Sequence, residues 1–106
     1  MPLSFDEYQK AVMRTAGPAA SQKDALCLSA LGLGGESGEF IDLVKKYVYH
    51  EHSLNSSQAL EELGDVLWYV ARACTALGYS LEGLASRNVR KLQERYPEGF
   101  SSKRSM

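Results

Sequence analysis

The sequence predicts an all-α protein, a four-helix antiparallel bundle with helices over about 4–15, 22–49, 57–77 and 80–96. Three observations carry this. Apolar residues recur at spacings of three and four, no stretch alternates with period two, and glycine, proline and capping residues separate the periodic segments.

Each element has its own signal. Ser4-Phe5-Asp6-Glu7 has the S-x-x-E form of a capping box, in which two orphan backbone donors are satisfied reciprocally. Phe5, Tyr8 and Val12 follow at helical spacing, and the first helix reaches Thr15. The stretch AGPAAS at 16–21 ends it, because Pro18 disfavours helix at Gly17 and offers no N–H. The second helix runs from Gln22 to Tyr49, with Leu26, Leu33, Phe40, Leu43, Val44 and Tyr47 among its inward positions. HEHSLNSS at 50–57 is a polar connection rich in capping residues. The third helix carries Leu60, Leu63, Val66, Leu67, Val70 and Cys74 as its apolar stripe, and Gly78 suits its termination. Ser80 caps a fourth helix that Pro97 and Gly99 stop. Residues 1–100 thus form one domain, and the tail 101–106, SSKRSM, has nothing to pack and is expected to be mobile.

The bulk numbers exclude several classes. A chain of 106 residues suits a single core, and 44% hydrophobic and 24% charged residues are ordinary for a globular domain. A net charge of -1 supplies no field that would attract nucleic acid or a membrane surface, so neither is expected as a partner. No apolar run approaches the ~18 residues of a membrane span, and the N-terminus lacks a signal-peptide pattern. Cys27 and Cys74 each fall within an apolar helical pattern and read as reduced core thiols, which makes the cytoplasm the expected compartment.

The second helix contains Gly32, Gly34, Gly35 and Gly38, each costing roughly 1 kcal/mol relative to alanine in a helix interior. Close helix packing, or a bend near residues 32–35, would offset that cost. A dinucleotide fingerprint is excluded, because it requires glycine where Ser37 stands and a preceding strand. Among these glycines Glu36 and Glu39 lie i,i+3 on one helix face, and Glu62 and Asp65 repeat the device on the third helix. A short connection between the two helices makes them antiparallel neighbours, so four carboxylates can share one pocket. Leu33 and Phe40 flank one pair, Leu63 and Val66 the other. Like charges in such surroundings repel unless a proton or a cation intervenes, and an oxygen-only donor set favours Mg²⁺ or Mn²⁺ over zinc. A solvated acidic face is the ordinary fate of helical glutamates; two pairs set in apolar stripes favour the metal.

Further candidates follow from helical phase. Lys46 lies seven residues after Glu39, about 20° around the helix, where its ammonium can reach a phosphate beside the metal. Asn88, Lys91 and Arg95 share one stripe of the fourth helix, donors suited to polyphosphate oxygens, although such a stripe alone reads as solvated surface. Arg72, seven after Asp65, could orient a carboxylate or make an ion pair with a partner helix. His50-Glu51-His52 lacks the spacing of H-E-x-x-H and reads as a surface turn, and Trp68 and Tyr69 read as core or subunit-interface residues.

The segments LGLGGESGEFIDLVKK, EELGDVLWYVARACTALGYSLE and NVRKLQERYPEGF together resemble the MazG-like family of all-α nucleoside triphosphate pyrophosphohydrolases. The resemblance spans about residues 28–100. The family motif reads E-E-x-x-E and later E-x-x-D; Glu36 and Glu39 match its last two glutamates, Glu62 and Asp65 its second half, and Gly35 replaces the first glutamate. The resemblance implies hydrolysis of a nucleoside triphosphate to monophosphate and pyrophosphate, Mg²⁺ dependence with Glu36, Glu39, Glu62 and Asp65 as ligands, and assembly as a homodimer or homotetramer. Either Glu36 or Glu39 would activate the water, with Lys46, Asn88 and Lys91 positioning the triphosphate. A di-iron bundle would need Glu-x-x-His pairs, where this chain has Glu39 and Asp65 as the i+3 partners. The remaining alternative is a non-catalytic helical interaction module that binds a cation.

Overall fold

The computed structural model describes residues 2–100, so the expected tail at 101–106 lies outside the described residues. Helices α1 (Phe5–Thr15), α2 (Gln22–Tyr49), α3 (Ser56–Ala76) and α4 (Leu81–Arg95) make an all-α fold. Among the described residues the only β feature is an isolated bridge between Pro97 and Gly99.

The helix ends sit within one residue of those the sequence predicts, because the signals at 4 and 80 are caps rather than first-turn residues. Ser4 Oγ accepts from the Glu7 N–H at 3.1 Å, and the Ser4 N–H donates to Glu7 Oε1 at 3.1 Å, which completes the capping box. Ser21, Asn55 and Ser80 cap α2, α3 and α4 by accepting from the N–H groups of Asp24, Gln58 and Gly83. At the C-terminus of α3, Gly78 adopts φ +77, the Tyr79 N–H donates to Cys74 O and the Gly78 N–H to Thr75 O. This is a Schellman motif, and the left-handed backbone at its centre is why a glycine stands there.

Helix α3 is the hub, packed against α1, α2 and α4, whereas α2 packs on α3 and makes no comparable contact with another helix. The α2–α3 pair is antiparallel. Gln22 Nε2 donates to Ala76 O at 2.9 Å at one end, Gly32 meets Tyr69 midway, and Lys46 and Gln58 line one cleft at the other. The buried core is small: Val12, Ala71, Cys74 and Leu81, with Tyr8, Trp68 and Val70 packed against it. Polar bonds clamp the same region. Gln9 Nε2 donates to Thr75 Oγ1 (2.9 Å) and Tyr79 O (3.0 Å), while its Oε1 accepts from the Leu81 N–H (2.7 Å). Trp68 Nε1 donates to Thr15 Oγ1 at 2.9 Å.

Several expectations need correction. Arg72 reaches no carboxylate among the described residues: its guanidinium lies 5.6 Å from the centre of the Trp68 ring and donates to Gly17 O, fixing the α1–α2 connection. Cys74 is buried but Cys27 is exposed, because no helix covers that side of α2. Val44 and Tyr47 are exposed for the same reason. The α3 stripe is buried only in its C-terminal half: Leu60, Leu63 and Leu67 remain 68%, 45% and 42% exposed, since α1 and α4 cover residues nearer Ala71 and Cys74. Helix α2 runs unbroken past its glycines, and of these only Gly32 is closely approached by another side chain. No helix among the described residues is long and apolar enough to cross a membrane.

Candidate metal centre

Helical spacing and antiparallel pairing bring the two acidic pairs together. One carboxylate oxygen each from Glu36, Glu62 and Asp65 lies within 4.8 Å of the other two. Glu39 joins from the next turn of α2, close enough to exchange hydrogen bonds with both Glu36 and Glu62. Glu36 and Glu62 are partly buried and Glu39 and Asp65 are exposed, so the cluster sits at the floor and rim of an open cleft.

The electrostatics follow from that arrangement. Burial first, then the hydrogen bond to Glu39, raises the Glu36 carboxyl above its ordinary range. Glu62 is pushed further, to about 7, by its hydrogen bond to Glu39, by burial, and by the neighbouring Glu36. Glu36 Oε2 and Glu62 Oε2 are inaccessible to solvent and have no hydrogen-bond partner among the described residues. Among the described residues no N–H or O–H donor outside the acid cluster reaches these two atoms, so a proton held within the cluster is the hydrogen at hand. Hard oxygens gathered in this way could hold a divalent cation that takes oxygen ligands.

The cleft beside the acids has a volume of about 370 Å³, with Gly35, Gly38, Glu39 and Lys46 contributed by α2 and Gln58 and Glu62 by α3. Gly35 and Gly38 leave its wall low, and a Cβ at either position would meet open space. Lys46 Nζ is 2.9 Å from Asp42 Oδ2, and this contact holds the Asp42 carboxyl below the usual range. Such an exposed i,i+4 pair contributes little stability, so the ammonium can be exchanged to another anion at small cost. Asn88 and Lys91 are exposed on α4 and do not line this cleft, and Arg95 lies 5.6 Å from the centre of the Tyr96 ring.

Two features were not read from the sequence. Tyr8 lies near enough to Asp65 that burial, and then that charge, raise its phenol above the ordinary value. The contact of Tyr69 with Gly32 was foreshadowed only by the cost of a glycine mid-helix.

A family model described as the MazG nucleotide pyrophosphohydrolase domain matches residues 28–100. The chain is also 37% identical over 105 aligned residues to the Gene 37 protein of Mycobacterium phage L5, covering 92% of each chain. No solved structure matches.

Proposed function

The chain belongs to the MazG nucleotide pyrophosphohydrolase family, and from that premise we propose that it is a Mg²⁺-dependent enzyme that hydrolyses a nucleoside or deoxynucleoside triphosphate to its monophosphate and pyrophosphate. The observation that carries this is the convergence of Glu36, Glu62 and Asp65 oxygens, with two buried carboxylate atoms that no donor among the described residues satisfies. Glu36, Glu39, Glu62 and Asp65 would hold the ion. Bound Mg²⁺ supplies charge that polarises phosphate oxygens, eases departure of pyrophosphate and acidifies a water.

The chain's own groups do the rest. Water adds to one phosphorus of the α–β anhydride, the bridging P–O bond breaks, and the proton lost by the water passes to Glu36 or Glu39. Lys46 exchanges Asp42 for a phosphate oxygen at the cleft edge. Asn88 and Lys91, i,i+3 on the exposed face of α4, are the donors proposed for the remainder of the triphosphate. The role this suits is clearance of nucleotides from the cytoplasmic pool.

A homodimer or homotetramer belongs to the same proposal. Exposed apolar side chains on α2 and α3, among them Ile41, Val48 and Leu60, support it.

Pyrophosphate release from a panel of NTPs and dNTPs, with Mg²⁺, Mn²⁺ or EDTA, tests the reading. The expected result is metal-dependent release that EDTA abolishes and that Glu39→Gln or Asp65→Asn lowers by about 100-fold or more, with helical circular dichroism unchanged. A folded protein silent on every nucleotide would instead favour a cation-binding interaction module.

A further inference from the structure

Helix α2 carries four glycines without a break, and the fold explains the packing of one. An ideal Cβ at Gly32 would overlap the Tyr69 ring, with Tyr69 Cδ1 2.6 Å away and two further ring atoms nearer still. The ring therefore lies directly on the α2 backbone. Its place on α3 is defended from behind: Trp68 meets it edge-on, with ring centres 4.9 Å apart at 79°, and Trp68 is itself tied to Thr15 and covered by Arg72.

This contact adjoins the acidic cluster. Glu36 is one turn beyond Gly32 on α2, and Asp65 is one turn before Tyr69 on α3, so the notch lies about 6 Å along the helices from the converging carboxylates. We propose that the Tyr69 ring seated on Gly32 is the positioning device of the metal centre, setting the separation and register of α2 and α3 at which Glu36 faces Glu62 and Asp65. Tyr69 and Gly32 touch neither metal nor substrate in this role.

Magnitude supports the assignment. Carbon atoms rest about 3.5–4.0 Å apart, so a methyl group at position 32 must displace the ring or the helix by roughly 1.5 Å. Metal–ligand distances tolerate about 0.2 Å, and Mg²⁺ demands near-ideal octahedral geometry. A shift several times that tolerance, applied one turn away, separates the acids while leaving both helices intact. The Tyr69 hydroxyl makes no hydrogen bond among the described residues, so the ring alone acts.

The inference rests on the proposed metal site, and its test has one arm that needs no metal. In the metal-free protein, nuclear Overhauser contacts should connect the Tyr69 ring to Gly32 Hα and the side-chain methylenes of Glu36 to those of Asp65. Gly32→Ala should abolish the second set and weaken Mn²⁺ binding, measured by electron paramagnetic resonance, at least about tenfold, with far-UV circular dichroism preserved. Gly32→Ala combined with Tyr69→Leu, which returns the volume of the methyl, should regain most of both. Tyr69→Phe should match the wild type and Tyr69→Ala should not, a comparison that decides the matter even where Gly32→Ala does not fold. Overturning results are Glu36–Asp65 contacts that survive Gly32→Ala because the ring swings aside, a double variant no better than the single, or Tyr69→Ala behaving as wild type. A wild-type protein that binds no Mn²⁺ would refute the hydrolase reading, and the contacts would still decide the positioning role.

Discussion

At the scale of the residue, the chemistry concentrates in Glu62. Its carboxyl is raised from 4.5 to about 7, so the folded chain retains a proton that the unfolded chain releases. Between those values the unfolded state binds fewer protons, and stability must fall as pH rises. The metal-free protein should therefore melt at progressively lower temperature from about pH 4.5 to about 7, a slope that scanning calorimetry will measure and Glu62→Gln should flatten. Mg²⁺ held by the proposed ligands would displace that proton, so affinity should climb through the same interval and level off above it, with proton uptake by the buffer visible in titration calorimetry. The four acids were legible in the sequence because i,i+3 spacing fixes a shared face whatever the tertiary context. Arg72 shows the limit of such reasoning: helical phase placed it near Asp65, but the adjacent Trp68 ring and the Gly17 carbonyl compete for the guanidinium and hold it on the α1 side.

At the scale of the element, the ends of helices were readable because capping is local chemistry. Ser4, Ser80 and Gly78 do in the structure what their residue types require within a few positions of chain. What joins elements was not readable, since Gln9 finds its partners 66 to 72 residues away. That side chain ties α1 to the α3–α4 corner and satisfies the Leu81 N–H in the first turn of a helix, one of the donors that a helix cannot satisfy itself. Gln9→Ala leaves this donor and the Tyr79 carbonyl without their partner, which should destabilise the protein by about 1–3 kcal/mol in chemical denaturation. Gln9→Glu should recover little, because a carboxylate accepts from Leu81 but cannot donate to Tyr79 O. The glycines of α2 lie between these cases. Their cost is local and visible, whereas the object that Gly32 accommodates, a ring on another helix, is not.

At the scale of the molecule, one chain looks unfinished. The α3 stripe runs on past the region that α1 and α4 cover, and Ile41, Val44 and Val48 fall within about 60° of one another around α2. Apolar surface of this extent on two adjoining helices suits a contact with a further apolar surface. The hydrophobic pattern places residues such as Leu60 on an apolar stripe, and it cannot say whether a neighbour in the same chain or in another copy covers them. Both answers give the same spacing. If copies of the chain bury these faces, stability is linked to association, and the melting temperature must rise with protein concentration. Analytical ultracentrifugation should find a dimer or tetramer. Leu60→Glu with Ile41→Glu, at positions 68% and 63% exposed in the single chain, would be nearly silent in a true monomer. In an oligomer the same pair places two charges in an apolar interface, and should yield a monomer with a lower, concentration-independent melting temperature. A wild-type chain that sediments as a monomer at every concentration would remove this reading. It would also require the exposed α2 and α3 faces to be covered by something other than a second copy.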